Sequence, residues 1–185
     1  MPLLTTLFNF WHTYGSDIQN GAVVLSAVAA FRVIRSGRAN SLRRNTMDLI
    51  LHQESDRELI EARAAFNELK AGTVKLATFG TSDQKNTPEA QTLRKVLNLH
   101  ELTSVAIAEG VIDECVYRRW FNTTFTKDYE ATKSYIQAAR VTYGNPKAFV
   151  EFEKTAVRWE NDKNWDAPPG FFKRKWDAIA GVIRA

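Results

Sequence analysis

Apolar residues recur along most of this chain at three- and four-residue steps, and few stretches show strand-like alternation of apolar and polar positions. The widest apolar pattern lies between Thr87-Pro88 and Glu109, with Leu93, Val96, Leu97, Leu102, Val105 and Ile107 covering more than half of a helix surface. A helix apolar over that breadth is contacted on several sides and is central to its fold. Thr87 is placed to cap it, with Pro88 at the first helical position. Gly110 ends it, and Asp113 caps a following helix that carries Val116, Tyr117, Trp120 and Phe121. Gly110 and Asp113 thus form the predicted structural corner between the two helices.

Other elements fall around this centre. Ser55 and Glu58 have capping-box spacing ahead of Leu59, Ala62, Phe66 and Leu69, and Gly72 is a stop. Thr73 to Thr87 is irregular and long for a connection in a helical domain, which predicts a functional or mobile segment. After Asn122-Thr123-Thr124 the pattern resumes with Phe125, Tyr129, Tyr135 and Ile136 and ends near Tyr143-Gly144. Asn145-Pro146 opens a last body helix with Phe149, Phe152, Ala156 and Trp159. The predicted class is all-α: a long N-terminal helix, a bundle of about five helices, and a short amphipathic C-terminal helix. The predicted division is 1–44, an apolar segment and anchor helix; 45–161, the bundle; and 162–185, a linker and basic tail.

The N-terminal segment reads differently from the body. Met1 to Trp11 carries no charged side chain, and Gly21 to Phe31 is an unbroken run of small and apolar residues. The uncharged run from Ile18 to Phe31 is fourteen residues, short of the roughly 20 that a membrane span uses. Arg32 can snorkel and so add Val33 and Ile34 to the usable length. Without an intervening proline, one long helix from about Asp17 to Gln53 is expected. Arg32, Arg35, Arg38, Arg43 and Arg44 follow, with no acid between Ile18 and Met47. Under the positive-inside rule that asymmetry predicts an inner-membrane anchor with the N-terminus outside and the body cytoplasmic. The alternative is a soluble cytoplasmic protein whose first helix packs on the bundle. A cleaved signal peptide fits poorly, because a basic n-region is missing.

The tail after the Pro168-Pro169-Gly170 breaker places Phe172, Trp176, Ile179 and Ile183 on one helix face beside Lys173, Arg174 and Lys175. It either docks on the bundle or meets an anionic membrane surface. The 185 residues are 44% hydrophobic, enough for a sizeable core, and the net charge of +4 is concentrated at the two ends of the chain.

Candidate chemistry is sparse. One cysteine, Cys115, excludes an internal disulfide and lacks a neighbouring base. His100-Glu101 begins like a zinc-protease helix, but Ser104 stands where the second histidine belongs. His100 and Glu101 are read instead as satisfied polar groups in a packed interface. Asp48 and His52 lie one turn apart with no third ligand in view. No phosphate loop or nucleophile elbow is present, so no catalytic residue, metal or cofactor is assigned. Arg118-Arg119-Trp120 and Lys173-Arg174-Lys175-Trp176 mix cations with aromatics and keep a nucleic-acid partner open, as a less favoured reading. A helical hydrolase is the third reading.

Several pieces in order carry a resemblance: Asn45-Thr46-Met47-Asp48-Leu49-Ile50, Glu61-Ala62-Arg63, Leu93 to Leu97 with Asn98 and Glu101, Gly110 to Glu114, Tyr135-Ile136 to Arg140, and Phe149 to Trp159. Together, over about residues 45–159, they resemble an uncharacterised bacterial and phage family, domain of unknown function 4760. The resemblance implies a helical body preceded by a basic-flanked membrane helix, and it brings no activity or ligand with it. The expected function is a membrane-tethered helical interaction or regulatory module. Arg32, Arg35, Arg38, Arg43, Arg44, Lys173, Arg174, Lys175 and Trp176 are its expected membrane or phosphate contacts. A protein partner is expected without being identified, and a homo-oligomer stays open.

Overall fold

The computed structural model describes residues 2–162 and Trp165, with side chains described from Val23 onward. The described residues form five α-helices and no strand: α1 (Pro2–Ser55), α2 (Arg57–Ala71), α3 (Pro88–Ala108), α4 (Glu114–Thr142) and α5 (Val150–Asn161). A 3-10 turn at Leu76–Gly80 lies between α2 and α3. The chain is gathered into two units that divide after Asn45. The basic amphipathic tail expected over 171–184 lies outside the described residues.

As the sequence predicts, α1 is a single long helix, continuous through Gly37, but it runs Pro2–Ser55 and not from about Asp17 to Gln53. Every residue from Val23 to Ser41 is exposed. The membrane span expected here is not supplied: among the described residues no helix is long and apolar enough to cross a membrane. Its apolar run from Val23 to Phe31 rises only about 13 Å before Arg32, against about 30 Å of hydrocarbon.

In the second unit, α3 is central. Ala90, Leu93, Val96, Leu97 and Ile107 are buried along it, and its neighbours are α2 and α5. Thr87 Oγ1 accepts from the Ala90 amide at 3.3 Å, and Pro88 occupies the first turn. After α3, Gly110 has φ +63°, a left-handed value that glycine reaches without Cβ strain. Asp113 Oδ1 accepts from the Val116 amide at 3.3 Å to start α4. The end of α1 is tied to this corner, because the Asp113 amide donates to Thr46 Oγ1 at 2.7 Å.

Three further boundaries differ from the sequence reading. The cap of α2 is Asp56, whose Oδ1 accepts from the Leu59 amide at 3.0 Å. Ser55 is still in α1, so the chain leaves helical geometry one residue later than the capping box implies. The break expected at Asn122-Thr123-Thr124 is absent. Phe121 and Phe125 are buried four residues apart, and Thr126 Oγ1 donates back to the Asn122 carbonyl at 2.9 Å. Two expected helices are therefore one helix of 29 residues. Finally, α5 begins at Val150, not at Pro146. Phe149 precedes it with φ +58°, a left-handed conformation unusual for an aromatic residue, and its side chain is buried.

Thr73 to Thr87 contains no long free loop. Gly80 sits against α4 so closely that a Cβ there would lie 2.8 Å from Ala138 Cβ and 3.0 Å from the Tyr135 carbonyl oxygen. The core is rich in aromatic rings. Phe125 meets Phe152 edge-on at 4.8 Å and Trp159 at 4.7 Å, and Tyr117 stacks on Phe121 at 4.7 Å. Contacts of this kind add about 0.5–1.5 kcal/mol each to simple burial.

Candidate functional site

The exposed segment of α1 holds most of the sequence-predicted contact residues. Val23, Val24, Leu25, Val28, Phe31, Val33 and Ile34 are 47–72% exposed, an apolar surface without cover. Val24, Val28 and Phe31 follow at four- and three-residue steps on one face, while Leu25 and Val33 lie on others, so the stretch is apolar all round. Covering a side chain of this size contributes on the order of 1.5–3 kcal/mol. Arg32, Arg35 and Arg38 come at three-residue intervals and wind around the helix as a collar, with Arg43 and Arg44 a turn or more beyond. Lys173, Arg174, Lys175 and Trp176 lie outside the described residues.

Part of the body's polar chemistry is internal. Asp128 of α4 accepts from Lys70 Nζ of α2 at 2.5 Å, and its other oxygen lies 3.0 Å from His100 Nε2 of α3. His100 and Asp128 are 3% and 4% exposed. A carboxylate only accepts, so the His100 ring proton is on Nε2, and Nδ1 is left buried with no hydrogen-bond partner. The ring stacks on Phe152 at 4.8 Å and meets Phe125 edge-on at 4.8 Å. Burial pushes the Asp128 carboxyl upward, but the His100 and Lys70 contacts outweigh it and hold the group below the ordinary carboxylate value. No substrate reaches a group this enclosed, so the cluster is a polar tie among three helices.

Glu101 has a defined role as well. Its two oxygens accept from the Glu151 and Phe152 amides at 3.3 and 2.7 Å, capping the start of α5 from a residue 50 positions away. Gln53 Oε1 accepts from Arg63 at 2.8 Å and from the Tyr117 hydroxyl at 3.2 Å. Burial raises the Tyr117 phenol to about 12. Of the pair Asp48 and His52, His52 is engaged elsewhere, 3.7 Å from Asp56. Among the described residues no group of three or more His, Cys, Asp or Glu side chains gathers to hold a metal.

Glu101 and His100 are thus partnered polar groups at helix interfaces, apart from the Nδ1 atom. His100's partner Asp128, and Lys70, which shares Asp128 with it, are two residues that sequence spacing does not single out. Lys70 lies in the last turn of α2 and Asp128 sits mid-way along α4, 58 positions later.

The family model described as a domain of unknown function, DUF4760, matches residues 5–159. The chain belongs to this family. The match takes in most of α1 as well as the body, so it extends further toward the N-terminus than the motif pieces that begin at Asn45. No curated protein and no solved structure matches the chain. Within this DUF4760 chain the exposed α1 surface and the internal polar ties are therefore read on their own geometry.

Proposed function

We propose that this DUF4760 protein is a membrane-tethered helical interaction module, with α1 as the attachment element and the body from Thr46 onward as the part that engages a protein partner. The observation that carries the reading is the uncovered apolar surface from Val23 to Ile34, followed by a collar of arginines and by no acid before Asp48. A helix that is apolar on every side is stable when something apolar surrounds it. Arginines on one end only suit the phosphates of an anionic headgroup layer, and an anionic layer of this kind is typical of a cytoplasmic membrane face, where this reading puts the body. In this reading Val23–Ile34 enters the bilayer, and Arg32, Arg35 and Arg38 hold the headgroup level.

Fractionation of cells that express the full chain tests this. The protein is expected in the membrane pellet at low and at high salt, and Val28→Glu combined with Phe31→Glu is expected to release it. Recovery of the unaltered chain in the soluble fraction at low salt overturns the tether.

A further inference from the structure

A cavity of about 300 Å³ opens where the first turns of α4 meet the end of α5. That is the lower end of the range for small-molecule sites. It is far larger than a single water, whose share of liquid volume is about 30 Å³. Glu114, Arg118, Arg119, Arg158, Asp162 and Trp165 line it.

The charges in this wall are arranged unequally. Arg158 donates to Glu114 Oε1 at 2.6 Å, and the Trp159 indole N–H donates to the same oxygen at 2.6 Å. Arg118 is more constrained. It donates to Asp162 Oδ2 at 2.8 Å, to the Trp159 carbonyl at 2.7 Å, and through Nε to Asn122 at 3.1 Å. Its guanidinium lies 5.5 Å from the Trp159 ring and 4.8 Å from the Trp165 ring. Two acids are thus matched by two arginines. Arg119, exposed at the cavity edge, has no acceptor among the described residues. Among the described residues, three cations against two anions leave one positive charge uncompensated, beside an indole wall that Arg118 holds in place.

We propose that this cavity binds a small organic anion, with its carboxylate or phosphate on Arg119 and its apolar body against Trp165. Fixed ion pairs on either side keep the wall from collapsing onto Arg119, so the site is already formed before a ligand arrives. An inorganic anion would satisfy the charge but leave most of the space unfilled.

Cys115 supplies a reporter, since it is the single cysteine, it is exposed and it lines the cavity. The rate at which iodoacetamide alkylates it in the full-length protein measures occupancy at this place. Benzoate, phenyl phosphate and inorganic phosphate are the probes, at matched ionic strength. Benzoate or phenyl phosphate is expected to slow alkylation saturably, and whichever is more effective identifies the preferred anionic group. Arg119→Gln, a change at an exposed position, should raise the half-saturating concentration about tenfold or more, as loss of a charge-assisted hydrogen bond does. Trp165→Ala should weaken both organic probes. The proposal fails if neither organic probe slows alkylation at millimolar concentration. It also fails if Arg119→Gln saturates like the parent, or if inorganic phosphate protects as well as its phenyl ester.

Discussion

Two helices of this protein are rich in apolar residues, and they meet opposite fates. In α3, Leu93, Val96, Leu97 and Ile107 are buried. In the α1 stretch from Val23 to Ser41 every residue is exposed, Phe31 and Ile34 among them. What separates the two is the polar residues interspersed among the apolar ones. α3 carries His100 and Glu101, which find Asp128 and the first amides of α5. Thr103 and Ser104 are buried on it too, and their hydroxyls donate to the Leu99 and His100 carbonyls one turn back. The α1 stretch carries arginines without any acid. A helix that packs inside a protein has to match its polar groups to specific neighbours. One that enters a fluid apolar phase needs only bulk and a charged rim.

The comparison breaks most visibly at Asp128. Replacing it with alanine removes the shared acceptor of the part-buried Lys70 ammonium and the buried His100 N–H and leaves both without a partner, at a cost of about 3–5 kcal/mol. A denaturant melt of the purified variant measures this, and a shift below about 1 kcal/mol would mean the tie is not structural. Leu97→Ala should follow at about 2–5 kcal/mol through the cavity it leaves in the core. Gly80→Ala comes next, about 1–3 kcal/mol, because its Cβ meets the Ala138 side chain and the Tyr135 carbonyl. Phe31→Ala is the counterpart on α1. It should change the melt of the body by less than about 0.5 kcal/mol, although it removes a larger side chain than Leu97→Ala does. A loss comparable to Leu97→Ala would place Phe31 in a core and erase the contrast between the helices.

Titration with acid sharpens the same contrast. The Asp128 carboxyl titrates below its ordinary value of 3.8 in the folded protein. Its contribution is therefore fully present above that value and is lost as the pH falls through the lower, folded value. Melts followed from pH 6 down to pH 2 should show a loss of stability that Asp128→Asn flattens. The α1 stretch contains no acid and should contribute nothing to that slope.

Much of this architecture was legible because it rests on local signals. Thr87-Pro88, Gly110 and Asp113 mark ends that depend on a side chain meeting its own backbone a few residues away. The continuous helix through Asn122-Thr123-Thr124 was not legible. Polar residues in a row read as a break, yet the Asn122 side chain accepts from Arg118 and its carbonyl from Thr126, both on the same helix. The irregular stretch before Thr87 was legible as a turn, but the use of its glycine was not, for a related reason. Gly80 looks like a turn residue, and its actual use is a close approach to α4 that no local spacing reveals. For the candidate sites, the arginine collar was visible as a charge run. The cavity beside Trp165 was not, since Arg118-Arg119-Trp120 reads as one exposed patch and the fold separates its members. Arg118 turns inward to Asp162, and Arg119 faces the cavity edge.

The sequence by itself determined the helical class, the single long first helix, the corner at Gly110 and Asp113, and the charge asymmetry of the N-terminal third. These follow from periodicity, capping and composition, which act over one or two helical turns. Only the tertiary structure decided which polar residues meet. Lys70, His100 and Asp128 converge from three helices, Glu101 caps α5 and not its own helix, and Arg119 has no acid beside it among the described residues. Such pairings depend on how helices far apart in sequence pack against one another, and side-chain spacing along one helix carries no information about that.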